Sequence, residues 1–177
     1  GGGGTSNVDS GGSFTSGGRV IVGWGVNAVG AIDVTGNGST FDGNGDFVLV
    51  GFGGTGTLGV SDGASFTANG VFLGDGSLAD GTMTVSGNTT TADIDGTFIV
   101  GDTGLGSLTI DGGATVTSSG GSGFFIVADE GNSDGSSLTI SGAGSTLDYT
   151  GTNRVILGHF GGSSAAPTTV LVENGGL

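Results

Sequence analysis

Val20-Ile21-Val22-Gly23, Val48-Leu49-Val50-Gly51, Val71-Phe72-Leu73-Gly74, Phe98-Ile99-Val100-Gly101, Phe125-Ile126-Val127-Ala128 and Val155-Ile156-Leu157-Gly158 punctuate the chain. They recur about every 25 to 32 residues, a period that signals a solenoid, in which each unit buries its apolar face only by stacking on the next. In a strand, alternate side chains point to opposite faces. An all-apolar tripeptide therefore supplies hydrophobic groups to both sides of its wall.

Working outward, a second segment of each repeat alternates cleanly: Ile32-Asp33-Val34, Leu58-Gly59-Val60, Met83-Thr84-Val85, Leu108-Thr109-Ile110, Leu138-Thr139-Ile140 and Val170-Leu171-Val172. Apolar residues around a mostly polar centre are the period-2 mark of a half-buried strand. A turn of Gly, Asn and Asp follows, then a third short strand with one inward candidate each: Phe14, Phe41, Phe66, Val116 and Leu147. In the run Thr89-Thr90-Thr91-Ala92, Thr91 falls where an apolar residue is expected. Strands joined so closely cannot return to pair within a rung, so copies pair in parallel with the rungs above and below, about 4.8 Å away. The expected fold is all-β, a three-sided parallel β-solenoid (β-helix) of six to seven rungs. A helical pattern is absent, and the glycine content opposes one.

The array is expected to be a single unit over residues 1–177, with a degraded first rung at 4–23 and an incomplete last rung at 168–177. Gly4 to Thr15 aligns with Gly56 to Thr67, with Ser6 replacing an inward Leu. No capping segment is evident, and an open end rung is an unpaired strand edge that invites another chain. Insertions at Glu130 to Ser136 and Phe160 to Pro167 lengthen the last intervals; in repeat proteins such insertions map to loops on one face.

Of 177 residues, 45 are Gly, one is Pro and none is Cys, while 34% are hydrophobic. Gly suits the several tight corners per coil. Sixteen acids face only Arg19 and Arg154, a formal net charge of −14. That balance opposes nucleic acid, which needs a basic footprint, and an anionic membrane surface. No apolar run is long enough to span a bilayer.

Gly106-Ser107-Leu108-Thr109-Ile110-Asp111-Gly112-Gly113-Ala114-Thr115-Val116-Thr117 and Ser137-Leu138-Thr139-Ile140-Ser141-Gly142-Ala143-Gly144-Ser145-Thr146-Leu147 resemble a known repeat. They are similar to the G-x-L-T-V-S-G-x-G-S-x-h-x repeats of bacterial surface proteins, found in autotransporter (type V secretion) passengers and PEP-CTERM-associated proteins. The resemblance covers nearly the whole chain and is specific to a repeat type. It implies a right-handed parallel β-helix, export to the bacterial surface, and service as an adhesin, stalk or matrix component.

Four sets of residues are candidates for function. Ile21, Leu49, Phe72, Ile99, Ile126 and Ile156, the centres of the tripeptides, would line up on the outside as an apolar assembly face of several hundred Å². Asp75, Asp102 and Asp129 follow the tripeptide in three consecutive rungs and would stack about 5 Å apart. Their mutual repulsion, about 1 kcal/mol per pair in a water-like dielectric, would be relieved by Ca²⁺, with Asp80 and Asp134 as further ligands. Trp24, Phe52, Tyr149 and Phe160 are candidates for stacking on a polysaccharide. Asp42-Gly43-Asn44-Gly45-Asp46 lacks the later Glu of an EF-hand and reads as a turn.

Catalysis finds little support. Arg19 and Arg154 occupy equivalent places five rungs, about 24 Å, apart. His159, with Ser163 and Ser164 near it in sequence, completes no acid–base set. The expectation is a non-enzymatic protein of the cell surface or extracellular space, whose main partner is itself, in a filament, stalk or matrix fibre. The alternative is a glycan-binding adhesin module.

Overall fold

Short runs of apolar and β-branched residues, cut by glycine turns too tight for hairpins, leave each strand only the next rung to pair with. A computed structural model shows the result and describes residues 2–119, 123–160 and 166–177. These residues form strands and no helix, arranged as a three-sided parallel β-solenoid. The first wall holds β1 (Gly3–Val8), β4 (Val29–Thr35), β7 (Thr55–Ser61), β10 (Asp80–Ser86), β13 (Leu105–Asp111), β16 (Ser137–Ser141) and β19 (Thr169–Glu173). The second holds β2 (Ser13–Thr15), β5 (Thr40–Asp42), β8 (Ser65–Ala68), β11 (Thr91–Ile94), β14 (Thr115–Ser118) and β17 (Thr146–Tyr149). The third holds β3 (Val20–Trp24), β6 (Phe47–Phe52), β9 (Gly70–Asp75), β12 (Phe98–Val100), β15 (Phe125–Val127) and β18 (Val155–Leu157).

Register follows the repeat. Ser6 pairs with Ile32, Ile32 with Leu58, Leu58 with Met83, Met83 with Leu108, Leu108 with Leu138 and Leu138 with Val170. The first and last rungs thus join the same ladder as the interior ones. Leu58, Met83 and Leu108 are fully buried, each lying above its equivalent at the stacking distance of about 4.8 Å. In the second wall Phe14, Phe41 and Phe66 stack nearly parallel, with centroids 4.9 and 5.2 Å apart.

The rung at 89–92 corrects the expectation for Thr91. Thr91 pairs with Ser65 and Thr115 on the outer face, and Ala92 is the inward residue, between Phe66 and Val116. Its small volume is made up two residues on, where Ile94 lies between Ala68 and Ser118. Bulk shifts from the first inward position to the second, so the core stays filled.

At the corner between the third and first walls the backbones meet closely. A Cβ on Gly56, Gly81 or Gly106 would collide with backbone atoms of residues 50–51, 73–74 or 100–101, the ends of the apolar tripeptides. In the next rung Ser136 takes that place, and its hydroxyl accepts a hydrogen bond from the Gly106 N–H at 3.0 Å. The stretch Asp42 to Asp46 is a turn as expected: the Asn44 N–H donates to the Asp42 carboxylate at 2.7 Å, and Asn44 has φ +46°.

Candidate functional site

The tripeptide centres do align. Ile21 pairs with Leu49, Leu49 with Phe72, Phe72 with Ile99, Ile99 with Ile126 and Ile126 with Ile156. They also stand apart from the interior cluster, which takes the flanking residues such as Val48, Val50, Val71 and Leu73. Their exposure departs from expectation. Leu49 and Ile99 are 5% exposed and Ile126 4%, while Ile21, Phe72 and Ile156 are half-buried. Large side chains stacked at strand spacing cover one another, and Phe47 adds an edge-on contact to Phe72 at 5.5 Å. Among the six, only Ile21, Phe72 and Ile156 offer appreciable surface to a partner.

Most of the apolar residues exposed along the flank lie instead on the corner between the third and first walls, with Phe124 on the corner between the second and third. Trp24, Val26, Val29, Leu78, Leu105 and Phe160 are all exposed on the former. Trp24, 70% exposed, meets Phe52 of the next rung edge-on at 6.4 Å. The four aromatic candidates are not brought together. Phe160 lies on the same corner but far along the axis, packed on the His159 ring at 3.9 Å. Tyr149 belongs to the second wall, in register with Ser118 in an inward row; its hydroxyl donates to the Gly123 carbonyl at 3.2 Å, and its ring lies 6.4 Å from Phe125. Tyr149 is a core residue that caps the interior.

The same corner carries the acidic ladder. Each tripeptide ends in a residue of positive φ, Gly74, Gly101 and Ala128, which swings the next side chain into line along the axis. Asp102 sits between Asp75 and Asp129, and its carboxyl is raised from 3.8 to about 7. Burial is the largest cause, followed by the Asp75 charge, a side-chain hydrogen bond with Asp75, and the charges of Asp129 and Glu130. Burial first, and the neighbouring acids after it, thus favour the protonated form of Asp102, which shares a hydrogen bond with Asp75. At the far end the ladder closes on His159, whose Nδ1 lies 2.6 Å from Asp129 Oδ1. That pair is ionic only when the imidazole is protonated.

This arrangement runs along the axis and does not converge on a point. Among the described residues no three His, Cys, Asp or Glu side chains form a group able to hold a metal ion. Asp80 and Asp134 lie away from the ladder, at the exits of their turns, where they line a groove of about 770 Å³ with Leu78, Leu105 and Asn132. The sequence signal for this groove was an apolar residue inside a turn, Leu78, outside any strand pattern. Of the two insertions, 161–165, with Ser163 and Ser164, lies outside the described residues. Arg154 keeps to the far edge of the third wall, just before β18, and Arg19, just before β3, lies 5.7 Å from the Phe47 ring centroid. Comparisons with protein-family models, with curated proteins and with solved structures gave no match.

Proposed function

We propose that this chain is a non-enzymatic structural module of the bacterial exterior, a β-solenoid that builds a filament, stalk or matrix fibre. The observation that carries this reading is the regularity of the three ladders. Each ladder repeats one N–H and C=O pattern from rung to rung, the same pattern by which a rung of a second copy would dock. The half-buried tripeptide centres Ile21, Phe72 and Ile156 add apolar area for lateral packing. The likeness of the repeats to those of autotransporter and PEP-CTERM-associated surface proteins supports the same assignment, as does a charge of −14 that keeps such rods apart until edges meet.

Electron microscopy of the purified chain over a concentration series tests it. Rods one solenoid wide that lengthen with concentration are expected; only dispersed monomers at the highest concentration contradict it.

A second reading, a glycan-binding adhesin module, draws on the exposed Trp24 braced by Phe52. An indole face presented beside a second aromatic is a platform for a sugar ring. A glycan array with Trp24→Ala as control separates the two: binding lost in the variant supports the adhesin, and an unchanged profile removes it.

A further inference from the structure

We propose that the groove between the corner turns of the middle rungs is a docking site for a cationic peptide segment of another protein, one that carries Lys or Arg beside an apolar side chain. Leu78, in the turn before β10, is 76% exposed and Leu105, at the start of β13, 44%; they are the two large apolar groups of a groove whose other lining residues are small or polar. Acids stand at both ends of these corner turns. Asp80 and Asp134 line the groove, while Asp75, Asp102 and Asp129 stand at the starts of the same loops, outside its lining, with Glu130 exposed next to Asp129. Exposed leucines beside the Asp80 and Asp134 carboxylates are complementary to a segment whose apolar side chain is flanked by cations.

The charge decides against a second copy as the occupant. The chain owns two cationic side chains, Arg19 and Arg154, and both lie at the opposite edge of the third wall, away from this corner. A second copy would bring a net charge of −14 to a corner that already carries Asp75, Asp80, Asp102, Asp129, Glu130 and Asp134. The groove crosses strands from Thr55 to Gly135, three rung spacings, or about 14 Å, which accommodates about four extended residues. Fixed aspartates draw such a segment in, and the leucines select among cationic sequences by apolar burial. The site is independent of self-assembly, because it lies on the flank and leaves the strand edges free.

Fluorescence anisotropy tests it with a labelled lysine peptide carrying one central leucine. The same peptide with serine for leucine, and one with glutamates for lysines, serve as comparisons. Asp80→Asn/Asp134→Asn is expected to weaken the leucine peptide about tenfold, whereas Asp33→Asn/Asp148→Asn, removing equal charge from the other walls, changes it less than about twofold. Leu78→Ser, on an exposed turn tip where folding is not at stake, is expected to erase the preference for leucine over serine. Equal losses in the two double variants, no preference for leucine, or no binding of the leucine peptide would overturn the proposal.

Discussion

Ser118 places a hydroxyl in the interior row Ala68–Ile94–Ser118–Tyr149, and its Oγ finds no hydrogen-bond partner among the described residues. A buried, unpaired hydroxyl forfeits its hydration with no return, so Ser118→Ala is expected to raise stability by about 1 to 2 kcal/mol, read by denaturant unfolding. Asp102 makes a prediction in pH. Its carboxyl holds a proton in the folded state up to about 7, against 3.8 ordinarily. Between those values the folded state binds more protons than the unfolded one, so this site's contribution falls as pH rises through that window. Asp102→Asn, which keeps the shape and loses the charge, is expected to flatten the decline and to be the more stable protein at pH 8. Thermal melts of both proteins across the window check this, and parallel curves would contradict it.

The elements owe their sharp corners to the glycine row at 56, 81 and 106. Gly81→Ala drives a methyl into the backbone of the tripeptide behind it and is expected to cost about 3 kcal/mol. Gly18→Ala, at a site with open space and no positive φ, stays within about 0.5 kcal/mol. These elements were legible wherever apolar residues alternated with polar ones: the Leu-Thr-Ile strands and the Phe ladder lie where their pattern put them. The Thr-Thr-Thr-Ala rung was not, because a run with a single small apolar residue marks no face, and a slip of one residue exchanges the faces. The tripeptides were legible in alignment and not in exposure. A fully apolar run states that both faces are dry-tolerant, and says nothing of how far stacked neighbours cover each other. Of the candidate site, the Asp75–Asp102–Asp129 ladder followed directly from the period. The Leu78–Leu105 groove did not, since it arises from turns of different lengths lying side by side.

At the scale of the whole molecule, one bonding pattern repeats along the axis while the flanks differ. The first wall turns mostly short hydroxyl and small side chains outward, the third is apolar on both faces, and the corner between them concentrates acids and exposed apolar groups. Growth along the axis then uses backbone bonds common to every rung, and recognition is left to the corner. The claim that rungs continue from one copy to the next is tested most directly by hydrogen exchange of the outermost strands in a concentration series. Amides of Gly3–Val8 and Thr169–Glu173 are expected to gain protection as concentration rises, while those of Asp80–Ser86, paired on both sides within the chain, stay protected throughout. Exchange in both outer strands that remains fast and independent of concentration would contradict the account.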